Sequence, residues 1–151
     1  MATDRDLVTR DFTATTFVVY GDRTLLLWHN KMQAWLPPGG HLLQNELPET
    51  GARREVLEET GLEVALAGEP EGRWGTVTVL RTPICILLED IGPGHQHIDL
   101  IYFATARTDA ARVNGAEAAR HRWFSRDELD SSEVAEDIRV LGQRAIAALG
   151  G

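Results

Sequence analysis

GHLLQNELPETGARREVLEETGL, residues 40–62, decides how the rest of this chain is read. Glu55, Glu58 and Glu59 stand at i, i+3 and i+4, so a helix here projects all three from one face with β-carbons roughly 5 to 6 Å apart. Like charges at that spacing weaken an isolated helix. A divalent cation reverses the sign of the problem, because clustered carboxylate oxygens suit Mg²⁺ or Mn²⁺. Mg²⁺ keeps several waters and shares its shell with substrate phosphates, so the acidic ridge reads as half of a site whose other half is a diphosphate. Taken alone, Glu58-Glu59 has a bland reading as a solvated helix face. The flanking residues decide against it.

Working outward, residues 35–41 read WLPPGGH: a strand ended by prolines, then glycines that let bare backbone approach a ligand. Backbone carbonyls there are free to join a metal shell. Asn45 falls where a chain turning into a helix needs positive φ, which Asn tolerates. Pro48 suits the first helical turn, where its missing N–H is no loss. Gly61 suits the left-handed position that ends a helix.

The spacing Gly40-x5-Glu46-x7-Arg54-Glu55-Val56-x-Glu58-Glu59-x-Gly61-Leu62 resembles the Nudix box at every specified position. Residues 35–41 are similar to the family's usual lead-in, and Trp123-Phe124-Ser125 with Glu128-Leu129 resembles its last strand and following helix. Leu43 stands where a Glu is often seen, and Leu47 replaces the Ser or Thr that caps the helix, a loss of about 1 kcal/mol. The resemblance implies an α/β/α sandwich with a mixed central sheet, one Nudix domain over residues 1–151, and a Mg²⁺-dependent pyrophosphohydrolase, with Mn²⁺ as substitute. It implies a substrate in which a nucleoside diphosphate is linked to another moiety: a nucleoside di- or triphosphate, or a nucleotide sugar. By motif position the Gly39 carbonyl, Glu55, Glu58 and Glu59 are the metal ligands, and Glu55 is preferred as the group that orients or deprotonates water. Arg54 pins the carboxylates through its planar fork, and Glu46 supports from behind or joins as an outer ligand. In this family the loop before the last strand often adds a carboxylate, and Glu117 is the acid placed for it here. Members are often homodimers.

Size and composition agree with one compact enzyme domain. The 151 residues are 43% hydrophobic and 25% charged, ordinary for a globular fold. A formal charge of −8 disfavours long nucleic acid, which needs a basic stripe, but admits nucleotides that arrive with Mg²⁺. Cys85 is the only cysteine, so an internal disulfide and a thiolate metal site are excluded; in the apolar run 83–88 it reads as a buried strand residue, not a nucleophile. Residues 1–6 are charged and do not read as a signal peptide, and no apolar run reaches the roughly 18 residues of a membrane span. A soluble cytoplasmic protein is expected.

Alternating β-branched and aromatic residues predict strands over 12–20 and 24–29 joined at Gly21-Asp22. Residues 30–34 read as a loop. Strands are also expected over 63–66, 73–80, 84–89 and 97–107, with a turn at 68–72 and a loop at 91–94. Residues 107–121 read as a surface loop with a turn of helix. Ser125-x-x-Glu128 and Asp130-x-x-Glu133 resemble capping boxes, the second opening the final helix. Val134, Ile138, Leu141, Ala145 and Leu149 then repeat at helical spacing and pack one stripe on the sheet. The apolar side of the first helix is expected to be Ala52, Val56, Leu57 and Leu62.

Substrate contacts lie outside the box. His29, Lys31 and His41 border the expected phosphate path; Trp35 and Trp74 offer flat faces for a base. His95-x-His97 followed by Asp99 reads as an exposed strand edge, because two imidazoles on alternate positions show no clear further ligand. The proline associated with ADP-ribose hydrolases would fall near Val77, and the tyrosine associated with diadenosine polyphosphate hydrolases near Val79; neither is there. Two other classes stay open on the same fold: a non-catalytic nucleotide sensor, and a diphosphate-ester isomerase, whose extra active-site cysteine nothing here supplies.

Overall fold

The structure is a computed structural model that describes residues 7–70, 72–113 and 118–151. Its elements run β1 (Thr9–Tyr20), β2 (Arg23–His29), β3 (Ala34–Leu36), β4 (Gly39–His41), α1 (Pro48–Thr60), β5 (Val64–Leu66), β6 (Gly72–Trp74), β7 (Val77–Val79), β8 (Cys85–Gly92), β9 (His95–Ala106), β10 (Ala118–Ser125) and α2 (Glu136–Leu149), with a 3-10 turn at Glu128–Asp130. Eight strands form one mixed sheet whose path is β10-β2-β1-β9-β5; β3 joins β2, β4 joins β1, and β8 joins β9. Its central pair, β1 and β9, is parallel from Thr9↔His95 to Val19↔Thr105, while the other ladders are antiparallel.

Period-two alternation in β1 sorts the two layers of core. Phe17 and Val19 join Ile101, Phe103, Phe124 and Trp35 beneath Ile138, Leu141, Ala145 and Ile146 of α2. On the opposite face Val18, Leu25 and Leu27 meet Val56 and Leu62, and Ala14 meets Ala52, Tyr102 and Ala104. Helices therefore cover both sides of the sheet, the α/β/α sandwich expected from the sequence.

The helix that carries the carboxylates is fixed by local signals. Asn45 takes φ 67°, Pro48 opens α1, and Gly61 closes it at φ 73° with its N–H donating to the Leu57 carbonyl. Leu47 occupies the N-cap position with no side-chain hydrogen bond, as its apolar side chain dictates. Ala52, Val56 and Leu62 are buried, but Leu57 is 48% exposed and faces away from the core.

Several sequence expectations need correction. Residues 73–80 do not form one strand; β6 and β7 fold back around Gly75 (φ 66°) as a separate two-stranded hairpin. The expected loop at 91–94 narrows to Pro93-Gly94 between β8 and β9. Asp130-x-x-Glu133 is not the start of α2. The Glu133 N–H bonds the Ser131 hydroxyl in a local turn, and the helix begins at Glu136 after Ala135, which has no side-chain cap. Ser125 and Glu128 do exchange the reciprocal bonds of a capping box, at 3.0 and 3.3 Å, on the 3-10 turn. Cys85 is half-buried rather than buried. Within residues 107–121, Ala118 onward is strand β10. The first six residues, Glu71 of the expected turn, and residues 114–117, which include Glu117, lie outside the described set.

Candidate active site

α1 lays its carboxylates against the glycine strand β4. A β-carbon at Gly40 would sit 2.7 Å from the Glu55 carboxyl carbon, so the side chain closes on bare backbone that only glycine provides. The Gly39 N–H donates to Glu59 Oε1 at 3.1 Å. Gly39 also presses on β1, with a notional β-carbon 2.7 Å from the Ala14 carbonyl oxygen. The two glycines thus let β4 fit between β1 on one side and the helix acids on the other.

Arg54 organises the acids. Its Nε and Nη2 clamp Glu46 at 2.8 and 3.0 Å, Nη1 donates to Glu55 at 3.0 Å and Glu58 at 3.1 Å, and Nη2 also reaches the His41 carbonyl at 3.0 Å. Fork geometry of this kind is what a guanidinium supplies and an ammonium does not. The Arg54 bond holds the Glu46 carboxyl below its usual range, assisted by the Leu43 N–H and opposed by burial; Arg54 itself is pushed up by the same partner. Exposure grades along the ridge: the Glu55 side chain is 15% exposed and the Glu58 side chain 58%. Glu58 is therefore the acid that solvent reaches most readily. All the donors gathered here are oxygens, the set that hard dications take.

The other sequence candidates are scattered. His29 ends β2 and Lys31 lies in the turn that follows. Trp74 is 65% exposed on the β6–β7 hairpin, outside the eight-stranded sheet. Trp35 is not a platform: at 5% exposure it is core, its ring edge-on to Trp28 at 5.4 Å and Phe124 at 5.2 Å. Trp28 is half-buried against the same cluster, with the Arg120 guanidinium 5.1 Å from its centroid.

Sequence reading also misjudged His95 and His97. Parallel register sets Asp11 beside His97 and Thr13 beside Asp99, and β4 brings His41 against Thr13. His41, His95 and His97 therefore converge on Asp11 instead of forming a bare edge. The His41 ring lies 4.9 Å from the His97 ring, on the sheet face turned away from α1, since Gly40 next to it faces Glu55. Burial, with the neighbouring imidazoles, pulls the His97 pKa down. Asp99 is buried and accepts hydrogen bonds from Thr13 at 2.9 Å and Thr15 at 2.8 Å. The neighbouring Glu89 carboxyl is pushed up to about 8 by burial, then by Asp99 and Asp137, and burial pushes Asp99 up as well. Burial likewise pushes the Cys85 thiol up, which leaves it a poor nucleophile.

The NUDIX domain model matches residues 10–144. A NUDIX family hydrolase from Clostridium perfringens is 33% identical and superposes with a TM-score of 0.86 over 93% of this chain and 99% of that one. A MutT NUDIX hydrolase from Burkholderia pseudomallei is 20% identical, with a TM-score of 0.66 over 92% and 97%. An Ap4A hydrolase from C. elegans, solved as a binary complex, is 17% identical, with a TM-score of 0.70 over 91% and 96%. No curated protein matches the chain. The chain belongs to the Nudix hydrolase family, whose members act on phosphoanhydride bonds of small nucleotide substrates.

Proposed function

We propose that the chain is a Mg²⁺-dependent pyrophosphohydrolase, active also with Mn²⁺, on a nucleoside di- or triphosphate or a nucleotide sugar. The supporting observation is the acid ridge of α1 closed against Gly39 and Gly40 and held there by one arginine. Glu55, Glu58, Glu59 and the Gly39 carbonyl would hold the ion, whose chemistry is to polarise phosphorus and acidify water. Glu55, the least exposed of the acids bonded to Arg54 besides Glu46, orients the attacking water and takes its proton. Arg54 keeps Glu55 and Glu58 apart and aimed, and Glu46 acts through Arg54. His29 and Lys31 are the proposed phosphate contacts and Trp74 a base contact, with Glu117 as a further acid; His41, expected from the sequence to join them, lies on the sheet face turned away from α1 and is not among them. Similarity to the Ap4A hydrolase is fold-level, and the missing tyrosine near Val79 places such substrates behind smaller nucleotides.

A homodimer, the assembly the family resemblance implies, would cover exposed Ile86 and Leu88 on edge strand β8 and Ile84 just before it. Free nucleotide as substrate argues for the cytoplasm; among the described residues no helix is long and apolar enough to cross a membrane. The test is product analysis over a nucleotide panel in Mg²⁺ and in Mn²⁺. Phosphate or pyrophosphate release that stops with EDTA and in Glu58→Gln is expected. Tight nucleotide binding with no turnover in either metal would replace this reading with a sensor.

A further inference from the structure

On the sheet face opposite α1, three imidazoles and one carboxylate meet where β1, β4 and β9 run side by side. Asp11, His41, His95 and His97 each offer a ligand atom, and these atoms all lie within 4.8 Å of one another. Asp11 Oδ2 is 3.2 Å from His41 Nε2 and 3.2 Å from His95 Nε2. A tetrahedron with 2.0–2.1 Å metal bonds has edges of about 3.3–3.4 Å, so these separations are already those of neighbouring ligands on one ion. His95 Nδ1 is engaged 2.8 Å from Thr9 Oγ1, which turns Nε2 inward. That is the outer hydrogen bond by which a metal-binding imidazole is oriented. The His97 ring stands edge-on to both others, at 4.9 and 5.3 Å between centroids.

Hydrogen bonding within the cluster is the rival account. Three touching imidazoles repel when protonated and compete for a single carboxylate when neutral; a dication instead takes a lone pair from each. The ligand set also names the ion's class. Three nitrogens and one oxygen suit Zn²⁺ and its neighbours in the first transition row, whereas Mg²⁺ takes oxygen. Four protein ligands close a tetrahedral shell, the pattern of a structural site.

We propose that Asp11, His41, His95 and His97 form a four-coordinate site for a Zn²⁺-class ion, distinct from the glutamate ridge, that ties the glycine strand β4 to β1 and β9. His41 is one residue from Gly40, so an ion here fixes the strand on which Glu55 rests.

The test needs no substrate. Zn²⁺ affinity and stoichiometry are measured by competition with a chromophoric chelator in excess Mg²⁺, and the visible spectrum of the Co²⁺ form is recorded. A single ion per chain with the intense bands of four-coordinate Co²⁺ is expected, retained in Glu58→Gln. His95→Ala and His97→Ala should weaken binding by more than the roughly 10–100-fold that follows loss of an outer-shell partner. Zn²⁺ should raise the melting temperature of the parent and not of these variants. Where an alanine variant fails to fold, Asp11→Asn and His95→Gln carry the comparison. Absent Zn²⁺ binding, affinity unchanged by the histidine substitutions, or loss of the ion in Glu58→Gln overturns the proposal. Because Glu58→Gln stops hydrolysis while sparing this site, the two readings fail separately.

Discussion

Gly40→Ala isolates the contact between the glycine strand and the acid ridge. The added methyl would lie 2.7 Å from the Glu55 carboxyl carbon, where ordinary contact starts at 3.4 Å, so the carboxylate must retreat by about 0.7 Å, close to the 1 Å misplacement that costs about 10²-fold in rate. Retreat is limited on the other side by Arg54 Nη1 at 3.0 Å. A fall in kcat of roughly 10- to 100-fold follows, about 1.4 to 2.7 kcal/mol of transition-state stabilisation. Stability should hardly change, since the methyl meets only the far end of a side chain. Gly39→Ala is the contrast: its methyl meets the Ala14 carbonyl oxygen at 2.7 Å and the Thr15 Cα at 2.9 Å. That is backbone, so β4 must leave β1 and the melting temperature must fall. The assay is kcat at saturating Mg²⁺ on the preferred nucleotide, with thermal denaturation alongside. Gly40→Ala with kcat within roughly twofold of the parent, or with a melting temperature as depressed as that of Gly39→Ala, would refute the reasoning.

Arg54→Lys keeps the charge but loses the fork, so kcat should drop roughly 10- to 100-fold, as for other positioning partners of metal ligands; unchanged kinetics would show that the acids hold their places unaided. Leu47→Ser should gain about 1 kcal/mol at the unsatisfied N-cap, about 2–4 °C in melting temperature for a chain of this size, and a calorimetric scan decides it. Glu128 is held at about 2 by the Ser125 N–H first and by Arg122 next, below its usual 4.5. A depressed carboxyl stabilises the fold above its unfolded pKa and loses that contribution as pH falls through the folded value. Glu128→Gln should therefore lower stability at pH 7, with the gap to the parent shrinking between about pH 4.5 and 2 in denaturant titrations; a gap constant with pH would contradict it. Ile86→Asp with Leu88→Asp should shift a dimer to monomer in light scattering, and a mass unaffected by the pair would remove β8 from the interface.

What the sequence disclosed and what it hid divide by range. Asn45, Pro48 and Gly61 announce the bounds of α1 because each acts through its own backbone angles or a missing N–H, and those are properties of single residues. The identity of Trp35 as core depends on the pairing of β3 with β2, and the burial of Asp99 and the gathering of His41, His95 and His97 around Asp11 depend on the parallel register between β1 and β9 and on β4 beside β1, none of which a local pattern encodes. The failure at Asp130-x-x-Glu133 has a different source. A pattern of donors and acceptors fits a tight turn as well as a helix start, and here Ser131 claimed the Glu133 N–H. Arg73–Leu80 alternated like a strand, but Gly75 gave the chain a place to reverse.

The parallel ladder at the sheet's centre also sets an order of events in synthesis. Thr13 and Asp99, bonded side by side, are 86 positions apart, so the middle of the molecule closes only after most of the chain has been made. Loop closure over that distance slows folding far more than it weakens the finished fold. Until β9 leaves the ribosome, the apolar run from Phe17 to Val19 waits without its companion, and the nascent chain is most open to self-association in that interval.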